Sequence, residues 1–200
     1  MAKLYFRYGA VGSAKTLNLL AVAHSYRQQN KEVLLIKPDL DTRFGKNQIR
    51  SRSGLEKEAD ILISPNTRFT PEELAGLHAI LVDEAQFLSA DFIDHLREIS
   101  VKLDIPVLCY GLRTDFRSFL FEGSKRLLEI ADAVEEVKTT CHFCNKKAIF
   151  NLKLIDGVPT ISGPTIQLGA EELYLPACAK CYIERIPSLE IARKSDSHPN

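Results

Sequence analysis

The sequence predicts an α/β fold: a mostly parallel sheet with helices on both faces, followed by a small β-rich, cysteine-bearing unit. Three observations carry this. Short, near-continuous apolar runs alternate with helical patterns, as in parallel strands buried on both faces. A glycine-containing loop, residues 9–16, joins the first apolar run to the first helical pattern. Four of the five cysteines form two C-x-x-C pairs in the last third of the chain.

Taken in order, residues 4–8 read as the first strand. Residues 16–29 follow as a helix, with Leu17, Leu20, Ala21, His24 and Ser25 at helical spacing. Residues 32–36 are a second strand, stopped by Pro38, and residues 60–64 a short third. Thr70 as N-cap, Pro71 at the first helical position and Glu73 completing a capping box predict a helix starting over residues 70–74. Residues 79–82 and 106–110 are further strands, and the intervening 89–103 carries a helix with apolar Phe92, Ile93, Leu96, Ile99 and Leu103. The pattern changes near Lys138. A strand over 148–154, a turn at Asp156 and Gly157 and a Gly/Pro-containing loop then lie between the two cysteine pairs.

With 200 residues the chain has room for one α/β domain and an appendage. Lys+Arg and Asp+Glu are both 26, so no global charge attracts nucleic acid or a membrane surface, and neither is expected as a partner. No apolar stretch approaches the roughly 18 residues that span a bilayer. The N-terminus lacks the apolar run and cleavage site of a signal peptide, so the expected location is cytoplasmic. In such a reducing compartment paired cysteines favour metal over disulfides.

The loop Gly9, Ala10, Val11, Gly12, Ser13, Ala14, Lys15, Thr16 sits where a phosphate-binding loop belongs. There, backbone N–H groups converge on phosphate oxygens and the helix N-terminus adds positive potential. Lys15 supplies charge to the β- and γ-phosphates, and the Thr16 hydroxyl is suited to Mg²⁺. Ala14 stands where the G-x-x-x-x-G-K-[ST] pattern has its second glycine. Its methyl group is tolerable at helical φ/ψ and costly at positive φ. The bland alternative is a glycine turn before an ordinary amphipathic helix.

Residues 79–82 end in Asp83 and Glu84, at the carboxyl edge of the sheet where ligands of open α/β folds bind. Asp83 can hold Mg²⁺ as the acidic group of P-loop enzymes does, and Glu84, pointing to the other side, could act as a base. A solvated acidic turn is the competing reading until the phosphate loop is considered with it. Cys141/Cys144 and Cys178/Cys181 form two knuckles able to complete a tetrahedral Cys₄ site. Four protein ligands close such a site, so its Zn²⁺ is read as structural. A thioredoxin-like redox pair is the rival. His142 reads as a solvated residue and Cys109 as a buried core thiol.

The sequence GAVGSAKT near the N-terminus, DEAQF after a buried strand, YGLRTDF after the next strand, and two C-terminal knuckles together resemble the thymidine kinases of the cellular, zinc-containing type, nearest their bacterial members. The likeness spans about residues 3–185. It implies a P-loop (RecA-like) domain over 1–138, a zinc-binding unit with a lasso-like loop over 139–187 and a flexible tail over 188–200. It implies transfer of the γ-phosphate of ATP to the 5′-hydroxyl of thymidine, with Glu84 as base and Lys15, Thr16 and Asp83 handling phosphates and Mg²⁺. Gln86 lies in the same acidic motif. Arg43, in the Asp41-Thr42-Arg43 segment, matches a group that stabilises the transferring phosphoryl. Phe87, Leu112, Phe116 and Phe121 match the thymine pocket, and Tyr174 matches a tyrosine packed beside the base. The resemblance further implies a homotetramer or homodimer and inhibition by thymidine triphosphate. Two other functions remain open: a nucleic-acid-dependent P-loop ATPase with a zinc ribbon, and a non-enzymatic zinc-binding module with a degenerate phosphate loop.

Overall fold

The computed structural model describes residues 1–41, 45, 47–51, 53–163 and 174–186. In chain order its elements are β1 (Leu4–Tyr8), α1 (Lys15–Gln28), β2 (Val33–Pro38), β3 (Gln48–Arg50), β4 (Glu56–Glu58), β5 (Ile61–Ile63) and β6 (Ala79–Val82). A 3-10 turn (Ala85–Phe87) follows, then α2 (Ala90–Lys102), β7 (Val107–Gly111), α3 (Glu122–Ile130), β8 (Ala133–Glu136), β9 (Phe150–Ile155), β10 (Val158–Thr160), β11 (Tyr174–Ala177) and α4 (Ala179–Arg185).

Six strands form one sheet in the order β5-β2-β6-β7-β1-β8, with every neighbouring pair parallel. Their side chains alternate between two cores. Leu4, Phe6, Ile36, Ile80, Val82, Val107 and Cys109 face α2 and α3, packing with Phe92, Ile93, Leu96 and Leu127. Val33, Leu35, Ala79, Leu81, Leu108 and Tyr110 face α1, packing with Leu19, Leu20 and Ala23. This two-sided burial is why the strands read as continuous apolar runs. Cys109 is fully buried, and burial pushes its thiol pKa up, as befits a core residue.

The C-terminal unit is a three-stranded antiparallel sheet, β10-β9-β11, with α4 packed beside it. Asp156 and Gly157, both at positive φ, turn β9 into β10 as the sequence predicts. The second cysteine pair sits where β11 passes into a helix: Cys178 directly follows the strand and caps α4, and Cys181 lies within α4.

Two expectations need correcting. The Thr70 capping box is made, with the Thr70 N–H donating to Glu73 Oε2 at 2.8 Å and the Glu73 N–H to Thr70 Oγ1 at 3.4 Å. No helix propagates from it. The segment stays in turns, reverses at Gly76 (φ +81°) and enters β6 at Ala79, too soon for a second helical turn. Pro38 does not stop β2 but is its last residue, paired opposite Ile63 of β5. A strand end loses little from a missing N–H. The tail, Arg43 and residues 164–173 of the lasso-like loop lie outside the described residues.

Candidate active site and cysteine cluster

The phosphate loop leaves the carboxyl end of β1, and the acidic pair leaves the same end of β6, with β7 between them. This arrangement brings the two motifs to one edge of the sheet. They share a cleft of about 340 Å³ whose walls include residues 11–17, Glu84 and Leu112, together with Arg50, Ser51 and Ser53 from around the β3–β4 hairpin. That volume lies within the range of small-molecule sites.

The loop is wound tightly. A Cβ on Gly9 would come within 2.4 Å of both Ser13 Oγ and the Val137 carbonyl oxygen, so no side chain fits there. Gly12 has φ +74° and Ala14, the cap of α1, has φ +61° and ψ 26°. Ala14 therefore adopts the costly conformation rather than the helical one. Lys15 folds back over the loop, its Nζ donating to the Gly9 and Ala10 carbonyls at 3.2 and 2.9 Å and to Ser13 Oγ at 3.2 Å. The Thr16 hydroxyl lies 3.2 Å from both carboxylate oxygens of Asp83, so the two groups suited to Mg²⁺ meet across β1 and β6.

Glu84 is 8% exposed and holds left-handed backbone (φ +51°, ψ 37°), which turns its side chain out of line with the strand and into the cleft. Gln86, 2% exposed, fixes it: Nε2 donates to Glu84 Oε2 at 2.5 Å, while Oε1 accepts from the Leu112 N–H at 3.0 Å. A Cβ on Gly111 would meet Gln86 Oε1 at 2.6 Å, so the end of β7 is bare to admit this amide.

Of the positions matched to the base pocket, Leu112 lines the cleft. Phe87 and Phe121 pack edge to face with centroids 5.5 Å apart, and Phe116 meets Tyr174 at 6.3 Å. Phe116 is 1% exposed. Its turn is closed by Asp115, whose Oδ1 accepts from the Arg117 and Phe119 N–H groups at 2.8 and 2.9 Å. The Tyr182 hydroxyl donates to the Phe116 carbonyl, tying the turn to α4.

Several polar residues here escaped the sequence reading. Lys37, at the end of β2, pairs with Asp41 at 3.1 Å, both almost fully buried, and also donates to the Gln48 carbonyl at 2.9 Å. The pair anchors the start of the segment that continues to Arg43. Lys153 is fully buried in β9, with Nζ 4.6 Å from the Phe116 ring centroid and 3.3 Å from the Ser162 carbonyl. Burial lowers its pKa, and nearby Arg117 adds repulsion. A lysine inside a mostly apolar strand is the signal that marks both.

The four knuckle sulfurs lie within 4.8 Å of one another. Cys144 Sγ is 3.6 Å from Cys178 Sγ and 3.8 Å from Cys181 Sγ. Tetrahedral zinc with bonds of about 2.3 Å sets its sulfurs about 3.8 Å apart, so the donor set and its spacing fit Zn²⁺. N–H groups of Phe143 and Cys181 point at Cys141 Sγ (3.4 Å) and Cys178 Sγ (3.5 Å), the usual means of stabilising knuckle thiolates. Ala10 of the phosphate loop is buried in the same cluster as Cys141, Cys178 and Cys181, so the two sites abut.

A lysine-bearing phosphate loop, paired carboxylates on the next strand but one and a closed cysteine cluster define a P-loop protein built for phosphoryl chemistry, with an appendage whose four cysteines could hold a metal ion. The family profile described as thymidine kinase matches residues 2–182, and the chain belongs to the thymidine kinase family. It is 45% identical over 184 residues to a thymidine kinase of Lactiplantibacillus plantarum, covering 91% of this chain and 96% of that protein. It is 46% identical to one of Enterococcus faecalis (91% and 95% covered) and 42% to one of Lactococcus lactis (92% and 98% covered). Among solved structures, the Pif1 helicase from Candida albicans overlaps 68% of this chain and 36% of its own, at 15% identity and a TM-score of 0.42, too slight a likeness to bear on function.

Proposed function

We infer that this chain transfers the γ-phosphoryl group of ATP to the 5′-hydroxyl of thymidine, yielding thymidine monophosphate and ADP. Family membership over nearly the whole chain supports the reading, and one observation carries it to chemistry: Glu84 is held by Gln86 in the cleft walled by the phosphate loop. Phosphoryl transfer asks the protein for positioning and charge rather than covalent participation. Lys15 and the loop N–H groups hold the β- and γ-phosphates. Mg²⁺, when bound, neutralises phosphate charge, and Thr16 and Asp83 are the groups that would hold it. Glu84 accepts the proton of the 5′-hydroxyl as its oxygen bonds to phosphorus and the bond to ADP breaks. Arg43 contributes charge to the transferring group.

Phe87, Leu112, Phe116, Phe121 and Tyr174 surround the base, and excluding water from the site suppresses hydrolysis of ATP. Zn²⁺ at the four cysteines is structural and ties the two cysteine pairs together. Among the described residues no helix is long and apolar enough to cross a membrane, in keeping with the cytoplasmic location we propose. Assembly as a homodimer or homotetramer rests on the family resemblance alone.

The test is transfer from ATP·Mg²⁺ to a panel of nucleosides with zinc retained. Rapid formation of thymidine monophosphate, with little product from purine nucleosides or deoxycytidine, is expected. ATP binding without transfer to any nucleoside, and ATPase activity stimulated by nucleic acid, would replace the reading with the nucleic-acid-dependent ATPase.

A further inference from the structure

We propose that Asn151 is a positioning residue that couples the nucleoside side of the site to the phosphate loop; the proposal rests on the functional reading above. Asn151 lies on β9, the central strand of the C-terminal sheet, and is 3% exposed. Its carboxamide is used at both ends. Oδ1 accepts from the Val11 N–H at 2.8 Å, and Nδ2 donates to the Thr114 carbonyl at 2.9 Å.

These contacts join segments far apart in the chain. Val11 belongs to the phosphate loop, where the direction of each N–H decides how the loop meets an anion. Its own N–H is turned to Asn151 and so fixes the loop's shape. Thr114 begins the turn that Asp115 closes and that carries Phe116, with Thr114 bridged to Leu120 across it. Within the same sheet, β9 is paired with β11, which brings Tyr174 opposite Lys153. One side chain on a rigid strand thus sees movement of the Phe116 turn and reports it to the loop backbone.

The residue type is specific. Two backbone groups of opposite polarity need one acceptor and one donor on a single short side chain. Asparagine supplies both. Leucine of similar volume supplies neither, and aspartate would set a carboxylate oxygen against the Thr114 carbonyl. Ala10, packed among the cysteines, is a second point at which the C-terminal unit bears on the same loop. Contiguous hydrogen bonds of this kind are a physical route for coupling, and linkage makes it reciprocal: a nucleoside that steadies the Phe116 turn steadies the phosphate loop, and a nucleotide does the reverse.

The experiment is hydrogen exchange followed by mass spectrometry on the zinc-loaded full chain, with and without saturating thymidine and no nucleotide, reading the peptide that contains Val11. In the wild type, thymidine slows exchange of this peptide about fivefold or more. In Asn151→Ala with its zinc content unchanged, the slowing is lost. The proposal is overturned if saturating thymidine leaves the wild-type peptide unchanged in protein that phosphorylates thymidine, a comparison that needs no variant to fold. It is equally overturned if Asn151→Ala keeps the slowing, because a merely structural asparagine would give that result. Absence of nucleoside phosphorylation by the wild type would overturn the functional reading itself and this proposal with it.

Discussion

Ala14 and Glu84 both hold left-handed backbone at the edge of the cleft, and neither is glycine. Such strain persists where the surroundings over-determine the conformation, and it concentrates at functional sites. For Glu84 the conformation aims the carboxylate, and the Gln86 amide and the Leu112 N–H lock it there. For Ala14 it is a residue-level cost that glycine would avoid. The left-handed region costs an L-residue about 1–2 kcal/mol, and part is offset by the greater unfolded-state freedom of glycine. Ala14→Gly is therefore expected to stabilise the protein by about 0.5–1 kcal/mol, about 1–4 °C in Tm for a chain of this size. A thermal melt checks it, and an unchanged or lowered Tm would contradict it. At this scale the sequence was informative about identity but not about conformation. The missing glycine is visible at position 14, yet whether its φ is positive depends on how the loop closes around Gly9 and Ser13. Asn151 was illegible for a similar reason, since its two partners are loop backbone atoms 140 and 37 residues away.

Elements with a strong apolar period were legible, and elements built on small residues were not. Residues 89–103 read as a helix because Phe92, Ile93, Leu96 and Ile99 mark one face, and α2 buries that face. α3 was missed because what it buries is Gly123, Ser124 and Leu127. It lies so close to the 3-10 turn that a Cβ on Gly123 would come within 2.5 Å of the Ala85 carbonyl, so close approach replaces hydrophobic bulk. The capping box at Thr70 misled in the opposite sense: it satisfies local donors but cannot lengthen a helix that tertiary structure ends at Gly76. The knuckles were fully legible as a ligand set. Their packing against Ala10 was not, and it makes the appendage part of the site. Replacing Cys178 by Ser removes one of the four thiolates from the cluster while leaving a side-chain acceptor at the N-cap of α4. The expected result is a loss of at least about 2 kcal/mol, about 4–8 °C in Tm, with weaker thymidine binding and reduced zinc content. Thermal melts, metal analysis and calorimetry on one preparation check this. Unchanged Tm and thymidine affinity would show that the cysteine cluster and the site are independent.

Across the whole molecule, the parallel sheet explains why motifs far apart in sequence work together. β1, β6 and β7 deliver the phosphate loop, the acidic pair and the Leu112 to Phe121 segment to one edge, and the C-terminal unit packs against that edge through Asn151 and Tyr174 of its sheet and Tyr182 of α4. The mostly parallel sheet, its two-sided core and the convergence of Lys15, Thr16, Asp83 and Glu84 follow from the pattern of apolar runs and the motifs at their ends, whereas the order of the strands does not. The buried Lys37–Asp41 pair and, separately, the buried Lys153 do not follow from it either, because their partners are set by packing between elements. The central claim is that this edge performs phosphoryl transfer with Glu84 as the base, and the most direct measurement is single-turnover formation of thymidine monophosphate by wild type and Glu84→Gln, with ATP affinity measured in parallel. The account predicts a rate loss of about 100-fold or more, with ATP affinity within about threefold of wild type, because the phosphate loop is untouched. A rate within a few-fold of wild type would contradict it and assign the proton to another group.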